Sequence, residues 1–219
     1  MIAVTGIGWL NQKEYGCVIG KVEKHHEGLD SLYSSFKRKS LFSYPVKNFS
    51  RFDTISKMTC LCAALALKDA GISYSAGQKK DIGIFGANEA GCLESNLNYF
   101  QDYISSGRIL ARGNLFIYTL PSIPLAEASI HFGLSGPLLH MFFNEKRIPS
   151  LLSFAGDSIA GGETPSILAV GAEEKNAICF VLKQEADISS GKNIGLQNVI
   201  SAADKSNFSE MITALIGLV

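Results

Sequence analysis

Residues 120–137 read LPSIPLAEASIHFGLSGP, and residues 138–143 continue as LLHMFF. Pro121 and Pro124 close a loop, and the apolar segment that follows them predicts a short helix ending near Phe132-Gly133. The next six residues, Leu138 to Phe143, are almost all apolar, which predicts a buried strand. A short helix that stops at a glycine and leads into an apolar strand is typical of an α/β protein.

The rest of the chain repeats this alternation of strands and helices. Asp53 is a good N-cap for an Ala-rich helix that stops at Gly71. The patterns predict strands over residues 1–10, 81–86, 166–171, 177–182 and 195–203, and helices over 53–70, 89–106, 149–159 and from 207 or 209 onward. We therefore expect an α/β fold, with a mixed sheet packed between α-helices, in a single domain over residues 1–219.

Residues 11–50 show no clear periodicity, but they contain the basic cluster Lys37-Arg38-Lys39. Such a cluster is most often a solvated face of the protein. A docking patch for an acidic partner is the alternative, and the sequence leaves both open.

The composition excludes several classes of protein. The 219 residues are 47% hydrophobic and 18% charged, which argues against intrinsic disorder. The net charge of zero argues against a nucleic-acid-binding protein. No apolar run approaches the roughly 18 residues that span a bilayer, so no membrane insertion is expected. The first eight residues lack a basic region and a cleavage site, so we expect a cytoplasmic protein without a signal peptide.

The cysteines indicate neither disulfides nor a metal site. The chain has five, an odd number, and no pair is spaced as Cys-x-x-Cys. Cys60 and Cys62 would point about 200° apart on a helix, so they cannot hold one metal ion together. Reduced thiols in a cytoplasmic protein are the simpler explanation.

The glycine-rich segments do not indicate a cofactor. Gly6-Ile-Gly8 lacks the third glycine of a dinucleotide-binding turn, and Gly86 to Gly91 lacks the lysine of a phosphate-binding loop. We expect no cofactor. Cys92 follows the second segment at a predicted helix N-terminus, where the helix dipole can lower the pKa of a thiol. Because no histidine lies nearby in the sequence, a small packed residue is the favoured interpretation of Cys92.

Five segments, taken together, resemble the N-terminal half of the β-ketoacyl synthases, the condensing enzymes with the thiolase fold. They are residues 4–8, 51–71, 81–86, 120–137 and 167–173, and residues 120–137 are the most specific of them. The segments occur in the family's order over roughly residues 1–185. The resemblance implies a thiolase-like half-fold, in which the family's second half is absent.

The resemblance also locates the position of the family's nucleophile. In the family a cysteine at the N-terminus of a buried helix accepts the acyl chain. Counting forward from Gly136-Pro137 and backward from Gly171-Ala-Glu173 places Glu145 at that position. A carboxylate is favourable at a helix N-terminus but cannot form a thioester. The family's two catalytic histidines come from its second half, and His131 and His140 precede the nucleophile position.

The resemblance therefore favours a non-catalytic subunit in fatty-acid or polyketide/polyene-type chain elongation, similar to a chain-length factor. Half of a duplicated fold would leave one sheet face uncovered, which implies a homo-oligomer or a heterodimer with a full-length β-ketoacyl synthase. An acyl carrier protein is a further implied partner.

Two alternatives stay open. The first is an active acyltransferase that uses Cys92 or residues completed by a second chain. The second is a binding module for an acyl chain, with a cleft lined by Phe142, Phe143, Leu151 and Phe154; ordinary core packing is the simpler explanation of those four residues.

Overall fold

The fold is described from a computed structural model, over residues 1–109, 112–188 and 192–219. The strands in these residues are β1 (Ile2–Asn11), β2 (Glu14–Cys17), β3 (Val22–His25), β4 (Gly83–Ala87), β5 (Leu138–Met141), β6 (Ser166–Ala172), β7 (Asn176–Gln184) and β8 (Ile194–Gly195). The helices are α1 (Leu29–Arg38), α2 (Thr54–Asp69), α3 (Leu93–Ser105), α4 (Gly113–Ile117), α5 (Ile123–Phe132), α6 (Arg147–Ala160), α7 (Leu196–Ala203) and α8 (Phe208–Ile216).

The strands form one mixed sheet in the order β3-β2-β1-β7-β6-β4-β5, and β8 pairs with β1. β4 runs parallel to both β5 and β6, whereas β6, β7, β1, β2 and β3 pair antiparallel in succession. β5 is an outer strand of this sheet. The predicted α/β class and the mixed sheet between helices are confirmed.

Helix α2 covers the centre of one sheet face. Its N-cap is Asp53, as predicted, and the Asp53 carboxylate accepts a hydrogen bond from the Ser56 N–H at 2.9 Å. Twelve of the sixteen helix residues are buried, because the small side chains allow the helix to approach the sheet closely. At Gly8 of β1 a Cβ atom would lie 2.3 Å from the Ala66 nitrogen, so only glycine fits this contact.

Helices α6, α7 and α8 cover the opposite face of the sheet. Leu151, Val199 and Leu215, one from each helix, are fully buried in the second hydrophobic core. The expectation of an uncovered sheet face was therefore wrong, since both faces are packed against helices. The single-domain boundary of residues 1–219 stays a prediction.

The strand predicted over residues 195–203 was also wrong, because these residues form helix α7. Leu196, Val199 and Ala203 recur at helical spacing and are buried against the sheet. Only Ile194–Gly195 pairs as a strand, with β1. A short apolar segment is compatible with the two-residue period of a strand and with the 3.6-residue period of a helix. The packing of these residues against α6 and β1 favours the helix.

Helix α3 differs from the other long helices because none of its thirteen residues is buried. The helix itself was predicted, but its apolar face points to solvent instead of the core. Leu97 and Phe100 are 59% and 58% exposed, and Leu93 and Ile104 extend the same stripe.

In the described part of the chain, no helix is both long and apolar enough to cross a membrane.

The buried His131 of α5 makes the stability of the fold depend on pH. It lies among Phe42, Tyr44, Tyr74 and Phe132, and its Nε2 atom finds no hydrogen-bond partner within the described residues. Burial lowers the pKa of His131 to about 4, whereas an unfolded histidine titrates near 6.5. The unfolded chain therefore binds more protons between these values, and stability is lost as the pH falls from about 6.5 to 4.

We expect His131 to account for up to about 3 kcal/mol of that loss, at about 1.4 kcal/mol per pKa unit. The measurement is urea unfolding across this pH range, for the wild type and for His131→Leu. The variant should lose much less stability on acidification. The exposed His25 provides the control, and His25→Gln should behave as the wild type does. An unchanged acid dependence in His131→Leu would show that other groups are responsible.

Candidate functional site at the carboxyl ends of the parallel strands

The three parallel strands β4, β5 and β6 end at the same edge of the sheet. Open α/β sheets bind ligands outside the carboxyl ends of their strands, so this edge is the candidate site. Glu89 follows β4, the segment 142–146 follows β5, and Glu173 follows β6 directly. Helix α6 starts at the same edge, so charged side chains from three loops and one helix meet there.

Glu145 lies in the loop between β5 and α6, two residues before the helix begins, and it is exposed. The residue between them, Lys146, adopts a left-handed backbone conformation with φ 48° and ψ 44°. No side chain caps this helix N-terminus, and its first turn contains no acidic residue. The positive end of the α6 dipole is therefore close to Glu145 in the chain. The assignment of Glu145 to the nucleophile position stays a prediction.

Arg147 connects the ends of two parallel strands. Its guanidinium donates to the carboxylates of Glu173 and Glu89, the second at 3.1 Å. The Glu89 N–H also donates to Glu173, at 2.9 Å. Burial raises the pKa of Glu173, while the Glu89 N–H and the Arg147 charge oppose this shift. We call Glu89, Arg147 and Glu173 the ion triad; it fixes the start of α6 against the sheet.

A cavity of about 350 Å³ extends from the ion triad to the start of α8. Its apolar lining comes from Ile148, Ile178, Phe208 and Met211, and its polar lining includes Lys205, Ser206 and Asn207. At its rim the Lys146 ammonium pairs with the Asp204 carboxylate at 2.7 Å, and both side chains are largely exposed. The charged side chains of the lining are both acidic and basic, so the cavity has no strong preference for one sign of charge. No group of three or more His, Cys, Asp or Glu side chains in the described ranges could hold a metal ion.

Removing the Arg147 charge should destabilise the fold. In Arg147→Met the aliphatic part of the side chain remains, but Glu173, whose side chain is only 25% exposed, loses its cation. We expect a loss of about 2 kcal/mol in the free energy of unfolding at pH 7. Since the pKa of Glu173 is already raised, the loss should shrink as the pH falls and this carboxyl binds a proton.

Urea unfolding at pH 7 and at lower pH measures both effects. The matched control is Lys146→Met, which removes the exposed pair next to the triad and should change stability by no more than ~0.5 kcal/mol. Equal losses in the two variants would mean that the triad does not hold α6 in place.

Cys92 is the N-cap residue of α3, and its thiol is directed at the Thr119 carbonyl oxygen, 2.7 Å from Sγ. Burial raises the pKa of this thiol, which opposes the thiolate that a nucleophile needs. The carbonyl contact also uses the S–H as a donor. Its use as an alternative nucleophile stays a prediction, but its surroundings do not favour it.

The four residues of the predicted acyl cleft have different surroundings. Leu151 is fully buried in the core, and Phe154 is partly exposed beside Phe85, with ring centroids 5.7 Å apart. Phe143 packs against the same core, whereas Phe142 is 64% exposed beside His140. Leu151 and Phe143 thus fit the core-packing interpretation, whereas Phe142 and Phe154 are exposed, and the acyl cleft stays a prediction.

The ion triad was not predicted from the sequence. Glu89, Arg147 and Glu173 are separated by 58 and 26 residues along the chain, and the register used for Glu145 did not consider them together. A signal was available, because an acidic residue closely follows each of the strands predicted over 81–86 and 166–171. Parallel strands that end at one edge would have brought these residues together.

Comparisons with known proteins support the fold through structure alone. No protein-family model matches the chain, and no curated protein matches it in sequence. Among solved structures, the ishigamide ketosynthase/chain length factor aligns with 86% of this chain at 12% identity and a TM-score of 0.61. A β-ketoacyl synthase from Burkholderia phymatum STM815 aligns with 84% at 14% identity and a TM-score of 0.58.

A third structure is a type II polyketide ketosynthase in complex with its acyl carrier protein. It aligns with 84% of this chain at 13% identity and a TM-score of 0.56. The chain therefore has the thiolase-like fold of the β-ketoacyl synthases, as the sequence resemblance implied. It spans 63%, 59% and 63% of the lengths of the three solved chains.

Proposed function

We propose that the chain is a non-catalytic, β-ketoacyl-synthase-like subunit that acts with a partner synthase in the elongation of acyl chains on an acyl carrier protein. The proposal rests on the predicted assignment of Glu145 to the position of the family's nucleophile. A carboxylate there cannot accept an acyl chain as a thioester. The sequence contains no cysteine between Cys92 and Cys179, so no neighbouring residue replaces the thiol.

The exposed apolar surface supports pairing with another chain. The stripe on α3, formed by Leu93, Leu97, Phe100 and Ile104, faces solvent. Phe142, which follows the outer strand β5 and is also exposed, lies close to Gly91 in the turn before α3. Several large apolar side chains exposed on one helix are typical of an interaction site. An outer strand also offers unpaired backbone groups to a strand of another chain.

Two of the similar structures support such a role. One is a ketosynthase/chain length factor, and another is a ketosynthase bound to its acyl carrier protein. We extend these associations to the present chain as part of the proposal. The proposed function requires pairing with a full-length synthase, and pairing with a second copy is the alternative.

Co-expression with full-length β-ketoacyl synthases tests the proposal. We expect a complex of defined stoichiometry that stays intact during size-exclusion chromatography. The chain expressed alone should self-associate. The wild-type chain and the α3 variant described in the Discussion form the matched pair. A stable monomer that binds none of the synthases would contradict the proposal.

A further inference from the structure

We draw no further inference here: the strongest candidate, the cavity of about 350 Å³ between the starts of helices α6 and α8, belongs to the candidate site already described, and its mixed acidic and basic lining favours no one class of ligand.

Discussion

Leu97→Glu/Phe100→Glu is expected to weaken binding to the partner synthase by more than about 100-fold while the chain stays folded. Both side chains belong to the exposed apolar stripe of α3, and no residue of this helix is buried in the isolated chain. The substitutions therefore remove no core contact. In a complex that covers the stripe, two carboxylates would lose their hydration without gaining a partner, at several kcal/mol in total.

The control for this variant uses the same helix. Asn98→Glu/Gln101→Glu adds the same charge to exposed polar positions of α3 and should leave the affinity within a few-fold of the wild type. Affinities are measured by titrating each variant against the synthase in analytical ultracentrifugation. Equal effects of the two variants would mean that added charge, and not the apolar stripe, determines binding. Unchanged binding by Leu97→Glu/Phe100→Glu would remove the stripe from the proposed interface.

Gly8→Ala adds one methyl group and is expected to lower the free energy of unfolding by at least ~3 kcal/mol. This is the largest loss of stability that we predict for a single substitution. A Cβ at this position would lie 2.3 Å from the Ala66 nitrogen and 2.6 Å from the Cys62 carbonyl oxygen. Both atoms belong to the α2 backbone, which cannot move away as a flexible side chain would. Helix α2 would have to separate from β1, and the largest hydrophobic core would open with it.

Gly113→Ala provides the comparison. A Cβ at Gly113, the first residue of α4, meets nothing within 4 Å, and the glycine does not have a positive φ. This variant should be neutral or slightly stabilising, because alanine restricts the unfolded chain. Urea unfolding of both variants measures the difference. A loss below about 1 kcal/mol in Gly8→Ala would contradict the close packing of α2 on β1.

The sequence was most informative where local signals agreed with the core. Helix α2 was predicted from its Asp53 cap and small residues, and strands β6 and β7 from apolar runs that are buried on both faces. The segment 11–50 was left unassigned, although it contains β2, β3 and α1. β3 is fully exposed and rich in charge, so it has no apolar periodicity to detect.

The candidate site was predicted less completely than the fold. The register that assigned Glu145 runs along the chain; Glu145 lies in the loop before α6, and its assignment to the nucleophile position stays a prediction. The ion triad depends on strands β4 and β6 being neighbours in the sheet, which no local pattern reveals. The solvent exposure of α3 was missed for a related reason. The sequence pattern of an apolar helix face is the same whether that face packs on the core of its own chain or is exposed to bind another chain.

In the proposed function, this chain never carries a covalently bound acyl group. Intact-protein mass spectrometry after incubation with acyl-thioester donors tests it directly, with a full-length β-ketoacyl synthase as the positive control. We expect an unmodified mass for this chain, alone and in the complex, while the synthase gains one acyl group. A stoichiometric acyl adduct on this chain, at Cys92 or at any other residue, would contradict it.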